Sequence, residues 1–79
     1  MKLTIKYFAA LRDERGQDEE SVEADVSTPT EVYKHLKNTH GLTFCSSKLK
    51  VAVNDEFADW DSSLSDGDVI VFIPPVAGG

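Results

Sequence analysis

The sequence predicts an α+β fold, a mixed sheet of about five strands packed on one main helix and followed by a flexible C-terminal tail. Three observations predict it. Lys2-Leu3-Thr4-Ile5-Lys6-Tyr7 alternates polar and apolar residues, the mark of a half-buried strand. A helical apolar stripe with start and stop signals occupies residues 29–40. Val69-Ile70-Val71-Phe72-Ile73 is apolar throughout, as expected of a central strand covered on both faces.

The elements follow in order. After the first strand, Ala9 to Arg15 reads as a short helix stopped at Gly16. Gln17 to Glu20 is polar and turn-like. Val22, Ala24 and Val26 alternate with Ser21, Glu23 and Asp25, giving a second strand expected to pair antiparallel with the first. Thr28-Pro29-Thr30-Glu31 is a helix start, with Thr28 as cap, Pro29 at the first helical position and Glu31 completing a capping box. Val32, Tyr33 and Leu36 form the stripe, and Gly41 ends the helix. Leu49, Val51 and Val53 then alternate with Lys50, Ala52 and Asn54. Asn54-Asp55 is a turn signal, Glu56 to Ala58 a short returning strand, and Leu64 to Asp68 another turn. Strand, strand, helix, strand, short strand, strand is the order of a β-grasp (ubiquitin-like) fold. A ferredoxin-like fold needs two full helices, and Ala9–Arg15 is too short to supply one.

Composition excludes several functions. The chain has 79 residues, with 8 Lys and Arg against 14 Asp and Glu, for a net charge of −6. That balance opposes binding to a phosphate backbone. No apolar run approaches the roughly 18 residues of a membrane span, and the alternating N-terminus lacks the unbroken apolar stretch of a signal peptide. Cys45 is the sole cysteine, so an intrachain disulfide is impossible and a cytoplasmic location is expected. Cys45, beside Phe44, is read as a small buried apolar residue. His35 and His40 are read as surface or capping residues. The chain holds no phosphate loop, HExxH or nucleophile elbow, and no metal site is expected.

The C-terminus carries the chemistry. Residues 69–79 contain no charged side chain, and the chain ends Pro74-Pro75-Val76-Ala77-Gly78-Gly79. Neither proline can donate to a sheet ladder, so the strand should stop near Ile73. The division expected is a domain of residues 1–73 and a tail of residues 74–79. Gly78 and Gly79, lacking Cβ atoms, can thread a narrow channel, and the extended tail reaches roughly 20 Å.

These features resemble the MoaD/ThiS family of sulfur-carrier proteins. Tyr7 to Gly16 resembles the family's opening strand and short helix, Val51-Ala52-Val53-Asn54 its central strand and turn, and Leu64 to Val69 with Phe72 to Gly79 its most specific stretch. The prolyl pair favours the molybdopterin branch over the thiamine branch. Ser47, where relatives often have glycine, is a departure confined to a loop. The resemblance implies that an ATP-dependent partner adenylates the Gly79 carboxylate and that sulfur then replaces AMP. The resulting thiocarboxylate would enter the large subunit of molybdopterin synthase and donate sulfur to a cyclic pyranopterin monophosphate. Gly79 would be the catalytic residue and Pro74 to Gly78 its means of delivery. The chain itself would bind no cofactor, and a heterotetramer with the large subunit would be expected. The alternatives left open are a ubiquitin-like protein modifier or a thiamine-pathway carrier using the same tail, and a non-catalytic interaction module whose tail is inert.

Strand parity proposes a partner surface. Phe8 falls on the Lys2-Thr4-Lys6 side of the first strand, and one helix can cover only one face of the sheet. Phe8, Phe57 and Ile73 are therefore expected to form an exposed patch at the base of the tail; the alternative is that Phe57 and Ile73 finish a small core. All acidic residues except Glu31 fall in two stretches, residues 13–25 and 55–68. They can steer a basic partner or simply aid solubility.

Overall fold

The computed structural model describes residues 1–75. The elements are β1 (Lys2–Tyr7), α1 (Ala9–Arg15), β2 (Glu19–Glu23), α2 (Pro29–His40), a 3-10 turn (Ser46–Lys48), β3 (Lys50–Val53), β4 (Glu56–Ala58) and β5 (Val69–Ile73). The sheet order is β2-β1-β5-β3-β4. β1 and β5 run parallel and the other pairs antiparallel, which makes the five-stranded sheet mixed, as predicted.

The core lies between one sheet face and α2. Leu3, Ile5 and Tyr7 of β1, Val22 of β2, Val51 of β3, and Ile70 and Phe72 of β5 are buried with Val32, Tyr33 and Leu36 of α2. Leu11 fixes α1 to the same core. The ring of Phe72 stacks on Trp60 at 5.7 Å and lies 5.2 Å from that of Tyr33. Trp60 also accepts, through its carbonyl, the backbone N–H and hydroxyl of Thr30, so the loop after β4 is bound to the first turn of α2.

α2 starts and stops where the sequence places it. Thr28 Oγ1 accepts from the Glu31 N–H, Pro29 is the first helical residue, and Gly41 adopts φ 69° while its N–H closes on the Lys37 carbonyl. The capping box differs in one bond. Glu31 Oε1 accepts from the N–H and hydroxyl of Ser27, one residue before the cap, because both Ser27 donors converge on one oxygen. The β3–β4 hairpin has Asn54 at φ 52° and Asp55 at φ 71°, the left-handed pair that a two-residue type I′ turn requires.

Four expectations need correction. β2 spans Glu19–Glu23, so Glu19 and Glu20 are strand residues instead of turn, while Ala24 and Val26 lie beyond the strand and pack against the core's edge. Pairing with β1 decides this, in a register running from Lys2 opposite Glu23 to Lys6 opposite Glu19. Cys45 is exposed; its neighbour Phe44 takes the core-facing position, and Cys45 only leads into the 3-10 turn. β5 is central, but among the described residues no helix covers its second face, and Val69 and Ile73 are half-buried. Pro74 is buried while Pro75 is exposed, so the first tail residue packs against the domain.

Candidate functional site

Phe8, Phe57 and Ile73 line one groove on the sheet face opposite α2, with Ile73 half-buried. Backbone register sets a row across that face, in which Lys6 pairs with Val71, Val71 with Ala52, and Ala52 with Phe57. Ile73, one step nearer the tail, pairs with Lys50. Phe57 is 74 % exposed and Phe8 51 % exposed. With Ala52, Asp55, Val71 and Ile73 they line an open groove of about 210 Å³. Ala52 and Val71 are each only 8 % exposed although no helix lies over them. The aromatic rings and long side chains around them are what shield them. The Lys50 ammonium stands 5.9 Å from the centre of the Phe57 ring, within cation–π range.

Local backbone geometry turns Phe8 outward. It caps α1 in an extended conformation (φ −120°, ψ 147°), and Ala9 follows at φ 50°. A left-handed alanine costs about 1 kcal/mol or more. That reversal sends the chain from β1 into α1, burying Leu11 and leaving Phe8 in solvent.

A second groove, of about 320 Å³, is lined by Lys48, Lys50, Ile73, Pro74 and Pro75. It marks where the chain leaves β5. Ile73 and Lys50 belong to this groove or its border as well as to the aromatic one, so the aromatic patch lies at the root of the tail. Val76, Ala77, Gly78 and Gly79, assigned above to delivery and reaction, lie outside the described residues.

A polar cluster sits at the β1–β2 end of the sheet. Arg15 Nε and Nη2 each donate to the Glu20 carboxylate at 2.9 Å. The Tyr7 hydroxyl donates to the same carboxylate, and His40 Nε2 lies 3.4 Å from it. Arg15 holds the Glu20 carboxyl below its ordinary range against an opposing contribution from burial. Burial, and then Glu20, push the Tyr7 phenol up. The Tyr33 phenol donates to the Phe44 carbonyl at 2.7 Å and is pushed up to about 12 by burial first, and then by Glu14 and Cys45. His40 is therefore a partner of Glu20 as well as a residue of the last helical turn. Sequence reading missed this cluster and Trp60. Their partners are 12 or more positions away along the chain, except for Arg15 with Glu20, and no local spacing signals such contacts.

The described residues contain no group of three or more His, Cys, Asp or Glu side chains able to hold a metal ion. The ionisable cluster is occupied by its own ion pairs. What the described surface offers is an open, largely apolar groove beside the point where the chain leaves β5.

The chain is 34 % identical over 80 residues to the "Molybdopterin synthase sulfur carrier subunit" of Escherichia coli K12, covering 98 % of this chain and 99 % of the relative. It is 35 % identical, with the same coverage, to the protein of that name from Haemophilus influenzae. Among solved structures, it superposes with a TM-score of 0.71 and 28 % identity, over the full length of both chains, on a chain from the complex of subunits 1 and 2 of molybdopterin-converting factor from Helicobacter pylori. The model of the ThiS family matches residues 5–79. On that evidence the chain belongs to the ThiS family.

Proposed function

We propose that the chain is the sulfur-carrier subunit of a molybdopterin synthase. A free carboxylate resists nucleophilic attack because attack adds charge to an anionic group. An ATP-dependent partner therefore adenylates Gly79 with release of pyrophosphate, and sulfide-level sulfur then displaces AMP to give a thiocarboxylate. Inserted into the large subunit, the thiocarboxylate sulfur attacks the cyclic pyranopterin monophosphate precursor, and water then cleaves the acyl–sulfur bond, leaving sulfur on the precursor and Gly79 as a free carboxylate. Gly78 gives the clearance that delivers it, and Pro74 and Pro75 set the direction of exit. Phe8, Phe57 and Ile73 are the docking patch that holds the tail's root against the large subunit. The acids, bases and phosphate ligands of the reaction belong to the partners, in a cytoplasmic complex.

The observation that carries this reading is that the family match extends through residue 79, so the Gly-Gly end is part of the likeness. The test is the intact mass after co-expression with the activating enzyme. Replacement of one oxygen by sulfur adds about 16 Da, and deletion of Gly79 removes that gain without unfolding the domain. A ladder of higher-mass conjugates in its place, or an unchanged mass beside an active partner, would overturn the proposal.

A further inference from the structure

Charge is distributed unevenly in this chain. Residues 32–54 contain four lysines and two histidines and not one Asp or Glu, although acidic residues outnumber basic ones overall. Lys34, Lys37, Lys48 and Lys50 are all exposed. Among the described residues none of these four ammonium groups has a carboxylate within 4 Å, whereas Lys6, Arg12 and Arg15 each have one. Nearby carboxylates are engaged elsewhere: Glu14 accepts from the Thr43 N–H and hydroxyl, Glu20 is held by Arg15 and Tyr7, and Glu31, one turn before Lys34, accepts from the N–H and hydroxyl of Ser27. Attraction to the helix C-terminus accounts for Lys37 and His40. It does not account for Lys34, which repels Lys37 one turn away, or for Lys48 and Lys50 outside the helix.

The four lysines line two adjoining grooves. Lys34 and Lys37 flank one of about 240 Å³ with Thr30, Tyr33 and Ser46, and Lys48 and Lys50 flank the one at Pro74 and Pro75. The single turn Ser46–Lys48 contributes to both. Each groove combines lysine with apolar surface, from Tyr33 in one and from Ile73 and the prolines in the other. Neither contains an arginine, whose planar fork reads phosphate best, and a net charge of −6 repels a polyphosphate chain.

We infer that this basic face, which borders the aromatic patch at Lys50 and Ile73, is a docking surface for a protein segment that alternates carboxylates with apolar side chains. Charge complementarity names the occupant: the carboxylates meet the unpaired lysines and the apolar side chains cover Tyr33, Ile73 and the prolines. Such a segment guides a partner onto the end of the sheet from which the tail departs.

The test is a chemical-shift titration of the isotope-labelled chain with a synthetic peptide alternating glutamate and valine. Shifts are expected at residues 33–37, 46–50 and 73–75, reversed by roughly 0.5 M salt. Lys34→Glu with Lys37→Glu should weaken binding about tenfold, as two lost surface pairs allow. Lys48→Glu with Lys50→Glu, outside the helix, should do the same, and Lys2→Glu should leave it within about twofold. Shifts spread evenly over all basic residues would overturn the inference. So would inorganic phosphate or an RNA oligonucleotide moving the same resonances more strongly, or shifts that grow with protein concentration alone, which indicate a second copy. The peptide undergoes no reaction with Gly79, so the result is independent of whether sulfur is carried.

Discussion

Replacing Phe57 by alanine separates docking from folding. The ring is 74 % exposed, and a phenylalanine side chain has roughly 200 Å² to bury, so about 150 Å² is available to a partner. At about 25 cal/mol per Å² this amounts to roughly 4 kcal/mol at most. The alanine that remains covers part of that area, and ordering the interface consumes more. A loss of about 2–3 kcal/mol is therefore expected, a 30- to 150-fold rise in Kd. The folded domain loses the Lys50 contact to the ring and part of the ring's cover over Ala52, so its unfolding free energy should change by only about 1 kcal/mol. Isothermal titration against the synthase large subunit measures the first quantity and urea unfolding the second. A Kd changed less than about threefold would refute a docking role. A stability loss above roughly 2 kcal/mol would show that Phe57 completes the core.

Three further outcomes are expected. Phe8→Asp should weaken large-subunit binding and leave the thermal midpoint within a few degrees, because Phe8 lies outside the buried core; unchanged affinity in the same titration would remove Phe8 from the patch. Glu20→Gln should cost roughly 1–3 kcal/mol at pH 7, since it removes a charged acceptor shared by Arg15 and Tyr7. The folded-state pKa of Glu20 is depressed below 4.5, so its contribution is whole above that pH and fades as pH falls through the lower folded value. Urea unfolding of the two proteins should thus converge in acid, and a constant difference down to strong acid would contradict the ion pair. Ala9→Gly relieves a left-handed alanine of about 1–2 kcal/mol against a glycine entropy cost of roughly 0.5–1 kcal/mol. It should leave stability equal or slightly raised in thermal unfolding, and a clear loss would contradict the backbone reversal.

The elements most legible in the sequence were those whose signals are local. Thr28, Pro29 and Gly41 bound α2 by their own conformational preferences, and Asn54-Asp55 names its turn because few residue pairs tolerate two positive φ values. β2 was misplaced because Val22, Ala24 and Val26 alternate as well as any strand does, while the actual limits depend on Lys6 meeting Glu19 across the sheet. Cys45 was misjudged because apolar composition does not say which of two neighbours turns inward. The exposure of Phe8 and Phe57 was legible from parity and from the shortage of helix. Trp60 and the Glu20 cluster were not, since both depend on partners that only the tertiary fold assembles.

The position of β5 has a mechanical consequence. This last strand is bonded to β1 on one side and β3 on the other, and the chain continues from it directly into Pro74 and Pro75. A pull on the chain's end, directed along the strand, loads both ladders in shear at once, so they must fail together. Edge strands such as β4, paired on one side only, could instead peel open one bond at a time. A partner that grips the end and later releases it can thus apply force to the tail while the domain behind it stays folded.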